Sequence, residues 1–232
     1  MANPFDLLAQ GRLDELRNAV AADPAAARLR NASGASLLAQ AVYMGNAAAV
    51  TLVRAALPDL DPWEAIMLGD ADALRAALAR GWNANELAPD GFTPLGLAAF
   101  FRQREAFAIL LPLTRDVNQQ AHNPQRVAAL HAATAVREAG MVEQLLRAGA
   151  DPDLPQADGF LPIHVSAQHG DAAITGLLLL FGASPTATNG KGKSAIDHAR
   201  DGGHAWLAER LSALAAGGAS RSQLQREGRL SP

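Results

Sequence analysis

The chain has 232 residues, of which 49% are hydrophobic and 19% charged, and its formal net charge at pH 7 is −3. This composition is typical of a globular protein and offers no global positive field for nucleic acid or an acidic membrane. The absence of cysteine excludes disulfides, thiolate metal sites and cysteine nucleophiles.

The hydropathy pattern predicts neither a signal peptide nor a membrane-spanning segment. Charged residues interrupt the first 20 positions, where a signal peptide needs an uninterrupted apolar segment. The longest strongly apolar run, residues 174–182, is about half as long as a bilayer span requires. We therefore predict a cytoplasmic protein with no membrane association. Lys191 and Lys193 are the only lysines, so nearly all basic residues are arginines. This composition, together with the abundance of alanine, favours a bacterial origin.

A recurring segment divides the chain into units, anchored near residues 4, 38, 62, 95, 130, 163 and 196. The last four align on Leu95, Leu130, Ile163 and Ile196, with successive spacings of 35, 33 and 33 residues. A second apolar segment follows each anchor, so each unit is predicted to be a pair of short helices. A fixed period near 33 residues is typical of stacked repeats.

The second and third units are separated by an unusually short interval. Leu38 and Pro62 are 24 residues apart, about nine short of the period. We therefore expect the finger between these two units to be missing. Asp61 is predicted to cap the following helix, with Pro62 as its first residue and Glu64 returning to the cap.

The later units carry helix signals of their own. Thr93 and Pro94 are suited to begin a helix, and Gly149 to end one. Two extra residues between Asn118 and Arg126 predict a longer finger. Arg102 and Arg137 stand where other units have glycine between the two helices. An arginine whose backbone adopts the left-handed conformation would be strained, so we expect those two turns to be rearranged.

The segment "LPIHVS", residues 161–166, resembles the T-P-L-H-x-A signature of the ankyrin-repeat family, whose unit is a β-turn followed by two short antiparallel helices. The resemblance implies a mainly α fold, an ankyrin-repeat solenoid of six to seven helix-turn-helix units with short β-hairpin fingers. The resemblance covers roughly residues 4–211, and we expect residues 1–211 to form one domain. Residues 212–232, rich in glycine, alanine and serine, are expected to be a disordered tail.

Two motifs invite a chemical interpretation. The segment "GKGKS", residues 190–194, ends like a phosphate loop, but Ala187 stands where that motif needs glycine, so we interpret it as the turn of a finger. His131 and His164 occupy the signature histidine position, where the resemblance implies a hydrogen bond to the backbone. No nucleophile elbow or metal-ligand spacing occurs, so we expect no enzyme activity, no cofactor and no metal.

The resemblance also implies where a partner binds, namely the finger tips and two adjacent positions of each first helix. These positions hold Tyr43 and Met44, Met67 and Leu68, Phe100 and Phe101, Ala135 and Val136, and Gln168 and His169. The fingers add Phe92 and Phe160. An alternative is that some of these side chains fill the core around the missing finger. We predict that Phe101 is an exposed anchor, so that Phe101→Ala leaves the melting transition nearly unchanged.

These features favour a non-catalytic scaffold or adaptor that binds a protein or peptide through its concave face and finger tips. The alternative is a regulator, inhibitor, or immunity or effector protein that covers the active site of a partner enzyme. A third class, binding of nucleic acid or a membrane surface through arginines and the Lys191 finger, is disfavoured by the near-neutral charge. We expect a monomer with no small-molecule substrate.

Overall fold

The computed structural model describes the backbone of residues 2–226 and the side chains of residues 2–217. Fourteen α-helices lie within this range: α1 Pro4–Ala9, α2 Leu13–Ala22, α3 Leu37–Tyr43, α4 Ala47–Ala56, α5 Pro62–Leu68, α6 Ala71–Ala79, α7 Pro94–Phe100, α8 Arg104–Leu110, α9 Ala129–Ala135, α10 Ala139–Arg147, α11 Pro162–Gln168, α12 Ala172–Leu180, α13 Ala195–Asp201 and α14 Ala205–Arg226. Short 3-10 helices are formed by Pro24–Arg28, Leu111–Leu113 and Ala157–Gly159.

Consecutive helices pack as pairs, from α1 with α2 to α13 with α14, which gives seven helix pairs in the described chain. The expected mainly α fold is confirmed. The fingers are minimal hairpins: among the described residues, isolated antiparallel bridges join Arg30 to Ser36 and Thr188 to Ser194. No single pair can enclose its own apolar side, so stability comes from packing between neighbouring pairs.

The chain divides into two compact units, the first ending at Arg115 and the second beginning at Asp116. In the first unit, α1, α3, α5 and α7 pack in series. In the second, α9, α11 and α13 do the same. The assignment of residues 1–211 to one domain stays a prediction.

Local capping signals place the helix starts. Thr93 Oγ1 accepts a hydrogen bond from the backbone N–H of Gly96, and Pro94 begins α7 as predicted. Asp61 and Glu64 form the predicted reciprocal capping box at the start of α5. Because α4 ends at Ala56 and α5 begins at Pro62, the missing finger between these helices is also confirmed.

The turns at Arg102 and Arg137 are not rearranged, so that expectation is wrong. Their φ angles of 56° and 61° match the 64° of Gly45 and the 65° of Gly170 in the equivalent turns. The tight connection between two antiparallel helices requires the left-handed conformation whatever the residue. Each arginine therefore stores strain of about 1–3 kcal/mol, which packing of the adjoining helices must offset.

The last helix, α14, continues past Leu211 to Arg226. Residues 212–226, the described part of the expected tail, belong to this helix, and the assignment of residues 212–232 to a disordered tail stays a prediction. Residues 227–232 lie outside the described range. In the described part of the chain, no helix combines the length and apolar character that crossing a bilayer needs.

Candidate functional site

Four aromatic side chains of the first unit, Tyr43, Phe92, Phe100 and Phe101, form what we call the aromatic cluster. The Tyr43 ring centroid lies 6.5 Å from that of Phe92 and 5.8 Å from that of Phe101. Phe100 meets Phe101 edge to face at 5.2 Å. These distances are in the range of favourable aromatic packing. The cluster thus joins side chains from the ends of two first helices and from one finger.

A hydrogen bond holds the centre of the aromatic cluster in place. The Tyr43 hydroxyl donates to Asp90 Oδ2 at 2.7 Å. Burial of the phenol raises its pKa, and the Asp90 carboxylate adds to the effect. Asp90 itself lies in a tight turn, because the backbone N–H of Gly91 donates to the Ala88 carbonyl and the Ala88 N–H to the Phe92 carbonyl. The finger therefore presents Asp90 and Phe92 to Tyr43 with little freedom.

The exposed surface of the aromatic cluster is mostly apolar. Phe100 is 49% exposed, the adjacent Met44 is 44% exposed and Tyr43 is 36% exposed. Phe92 and Phe101 are half-buried. Phe101 is therefore not the freely exposed anchor that the sequence predicts, because its ring packs against those of Tyr43 and Phe100. Phe100 and Met44 are the side chains of this surface most available to a partner.

Met67 does not belong to this surface, which corrects its prediction as a partner-binding residue. Only 4% of Met67 is exposed. Leu68 is half-buried and packs against the core of the first two helix pairs. The helix α5 that carries them packs between α3 and α7, and Gln103 Nε2 donates to the Met67 carbonyl at 2.9 Å. The alternative, that these two side chains serve the core, is the better description.

The second unit holds the remaining predicted contact residues. Gln168 and His169, at the end of α11, are exposed, whereas Val136 is half-buried. Phe160 is also half-buried, with its ring centroid 6.0 Å from that of His164 and 5.2 Å from that of His198. Whether these four residues contact a partner stays a prediction.

The signature histidines hydrogen-bond the backbone, as the resemblance implies. The N–H of Ala128 donates to His131 Nδ1 at 3.3 Å, and the N–H of Leu161 donates to His164 Nδ1 at 3.0 Å. Burial lowers the pKa of His131 to about 4, against the opposing effect of nearby backbone carbonyls. Both rings thus act as neutral caps at the starts of α9 and α11.

The "GKGKS" segment forms a finger turn, as predicted. Asn189 N–H donates to the Lys193 carbonyl and Gly192 N–H to the Asn189 carbonyl, while Lys193 Nζ lies 2.6 Å from Asp201 Oδ2. Within the residues whose side chains are described, no group of three or more histidine, aspartate or glutamate side chains has the arrangement of a metal site.

The sequence analysis also missed an aromatic contact in the first unit. Trp63 and Trp82 meet edge to face at 6.0 Å, and Trp63 Nε1 donates to the Glu86 carbonyl at 3.4 Å. Both rings are half-buried. The position of Trp63 directly after the helix-starting Pro62 is the signal that could have placed it at a unit boundary.

Comparisons with known proteins converge on one kind of repeat. A family model described as "Ankyrin repeat" matches residues 128–156 and 158–190. Mouse ARF GTPase-activating protein GIT2 is 35% identical over 98 residues, which are 42% of this chain and 13% of that protein. Human ARF GTPase-activating protein GIT1 is 35% identical over 98 residues, 42% of this chain and 12% of that protein. Mouse ankyrin repeat and SOCS box protein 11 is 32% identical over 105 residues, 45% of this chain and 32% of that protein.

The matched segment is thus a small part of these relatives. The chain covers only 13% and 12% of the two ARF GTPase-activating proteins. What their names state about activity belongs to those proteins.

Proposed function

We propose that this chain, which belongs to the ankyrin-repeat family, is a non-catalytic scaffold or adaptor that binds a partner protein or peptide through the aromatic cluster and Met44. Repeats of this family serve as protein-interaction modules, and stacked repeats present extended surfaces that suit this role. The relatives contain the matched segment within longer chains, which supports its use as a binding module.

The observation that carries the proposal is the exposure of Phe100 and Met44 beside the packed rings of Tyr43 and Phe101. Exposed apolar side chains in a contiguous patch are typical of interaction sites on proteins. A rigid aromatic surface loses little conformational entropy on binding, and aromatic anchors dominate the energetics of many interfaces. The Tyr43 hydrogen bond to Asp90 supplies that rigidity.

Site-specific photocrosslinking tests the proposal. A benzophenone amino acid at position 44 is expected to give a discrete crosslinked product in cells of the native host, and Phe100→Ala should reduce its yield at least about tenfold, since loss of an anchor costs about 2 kcal/mol or more.

The matched control uses another pair of exposed apolar neighbours, Leu180 and Phe181 at the end of α12. Replacing both with alanine removes a similar apolar surface and should leave the crosslink at position 44 unchanged. An equal loss of yield in the control variant, or no discrete product in the wild type, would contradict the proposal.

The proposal extends to a cytoplasmic, monomeric protein. Cell fractionation of the native host and light scattering of the purified chain test these two points.

A further inference from the structure

Two histidines of the second unit, His164 in α11 and His198 in α13, stack on each other between neighbouring helix pairs. Their ring centroids lie 5.1 Å apart with an interplanar angle of 38°. Phe160 covers both rings, at 6.0 Å and 5.2 Å. Both histidines are buried side chains. Since α11 and α13 pack directly against each other, the stacked rings form part of the joint that holds the last helix pair.

The hydrogen bonds of His164 determine where its proton lies. Its Nδ1 accepts from the backbone N–H of Leu161 at 3.0 Å, so Nδ1 carries no proton. Its Nε2 lies 2.8 Å from the carbonyl oxygen of Ala187, to which it must donate. His164 is therefore a neutral ring with the proton on Nε2, and it ties the start of α11 to the finger of the next unit.

His198 is held in the opposite tautomer. Asn189 Oδ1 accepts from the backbone N–H groups of Lys191 and Lys193, at 2.9 Å and 3.1 Å, which fixes the orientation of the amide. Asn189 Nδ2 consequently faces His198 Nε2, 3.0 Å away, and donates to it. His198 Nε2 carries no proton, so the neutral ring has its proton on Nδ1.

We propose that the stacked pair His164 and His198 is an acid-sensitive latch, which holds the finger of residues 187–194 and helices α13 and α14 in place only while both rings are neutral. A proton on His198 Nε2 would point at the Asn189 amide N–H. A proton on His164 Nδ1 would point at the Leu161 N–H. In each case two donors face each other, and two charged rings at 5.1 Å would also repel.

Burial, rather than the surrounding charges, is the main cause that favours the neutral state of both rings. Burial lowers the pKa of His164, against the opposing Ala187 carbonyl and the carboxylate of Asp153.

Burial likewise lowers the pKa of His198, helped by His164 and Lys193 and opposed by Asp201 and Asp197. The two opposing carboxylates are already engaged, Asp201 with Lys193 and Asp197 with Arg200 and Ser194.

Release of the latch has a local consequence for Phe160. Its ring rests on both histidines, so opening of the joint removes the surface that positions it. The latch does not depend on the proposed function, because it concerns the joint and not a partner.

The first test reads the tautomers directly. Long-range proton–nitrogen NMR spectra of the 15N-labelled full chain at pH 7.5 are expected to show the proton on Nε2 of His164 and on Nδ1 of His198. The same tautomer for both rings, or a protonated ring at this pH, would overturn the proposal.

The second test measures opening of the joint. Amide hydrogen exchange at pH 7.5 and pH 5.0, corrected for intrinsic rates, is expected to show α13 losing at least about tenfold more protection than α10 on acidification. The ratio of the two helices is the readout, since titration of His131 weakens the whole second unit and affects both. An unchanged ratio would overturn the latch.

A pair of glutamine variants separates the latch from general acid effects. His198→Gln keeps an acceptor for Asn189 but cannot be protonated. The change in the logarithm of the α13-to-α10 protection ratio between pH 7.5 and pH 5.0 should therefore be less than about half of the change in the wild type. The control His169→Gln removes an exposed histidine and should behave as the wild type does. If His198→Gln retains the full acid response, the latch is excluded.

Discussion

Gly34 shows how a single residue controls the geometry of the aromatic cluster. A Cβ atom on Gly34 would lie 2.6 Å from the carbonyl oxygen of Pro89, far inside van der Waals contact. The first finger can approach the finger of residues 88–92 this closely because the finger between them is missing. That second finger carries Asp90 and Phe92, so the contact at Gly34 helps to position both against Tyr43.

Gly34→Ala should therefore cost more stability than a glycine substitution that meets no neighbour. Gly45 is the matched control, since it also has a positive φ, 64° against 87°, but a Cβ atom added to it would meet nothing within 4 Å. We expect Gly45→Ala to cost about 1 kcal/mol for the left-handed conformation and Gly34→Ala about 2–4 kcal/mol, because overpacking adds to it. Urea unfolding measures both. Equal losses would show that the fingers separate without cost.

Phe100 and Phe101 should differ in the same assay, although they are neighbours. Phe101→Ala removes ring contacts with Tyr43 and Phe100 and is expected to cost about 1–3 kcal/mol, whereas Phe100→Ala, at a side chain 49% exposed, should cost less than about 1 kcal/mol. Thermal or urea unfolding distinguishes them. A larger loss for Phe100→Ala would mean that this ring is a structural one.

At the scale of the helix, several units use different side chains to accept a hydrogen bond from the backbone N–H of the N-cap residue. In each, a side chain three positions after the cap accepts a hydrogen bond from the backbone N–H of the cap. The acceptors are Glu64 Oε2, His131 Nδ1, His164 Nδ1 and Asp197 Oδ2. A carboxylate and a neutral imidazole are interchangeable here because both offer a lone pair at that point.

Among these four acceptors, Glu64 is the one whose charged side chain is costly to bury. It is buried, and burial raises its pKa, as does the nearby carboxylate of Asp61. Its two oxygens accept from Ser36 Oγ at 2.7 Å and from the Asp61 N–H at 3.0 Å. A raised pKa in the folded protein means that stability falls as the pH rises through the titration of Glu64.

Glu64→Gln and Glu64→Ala should therefore differ in stability at pH 7. Glutamine keeps an acceptor for the Asp61 N–H and removes the buried charge, so we expect a stability equal to or above that of the wild type, with the difference shrinking in acid. Alanine leaves the Asp61 N–H without its partner and should cost about 1–3 kcal/mol. Urea titrations at pH 7 and pH 4.5 check both. Loss of stability in the glutamine variant at pH 7 would show that the charge is needed.

For the whole molecule, the two compact units differ in the sign of their response to acid. The first buries Glu64, whose pKa is raised, so protonation of this group favours folding. The second buries His131, His164 and His198, whose pKa values are lowered, so protonation favours unfolding. For His131 alone, with a pKa of about 4 against an ordinary 6.5, roughly 3 kcal/mol is present above pH 6.5 and lost as the pH falls to 4.

We therefore expect the second unit to unfold at lower urea concentration as the pH falls from 7 to 5, while the first unit changes little. Tryptophan fluorescence can report each unit separately, since Trp63 and Trp82 lie in the first and Trp206 in the second. Trp206→Phe leaves only the fluorescence of the first unit. The double variant Trp63→Phe and Trp82→Phe leaves only the fluorescence of the second unit. Parallel shifts of both midpoints would contradict the expectation.

The helix pairs, their starts and the missing finger could be predicted from the sequence, because caps, proline positions and the repeat period act over a few residues. The burial of Met67 and the meeting of Tyr43 with Phe92 and Phe101 could not. These depend on how neighbouring units pack, and the residues concerned are about 50 positions apart along the chain. Repeat register decided which residues stand at variable positions; only tertiary packing, altered where a finger is absent, decided which of them reach the surface.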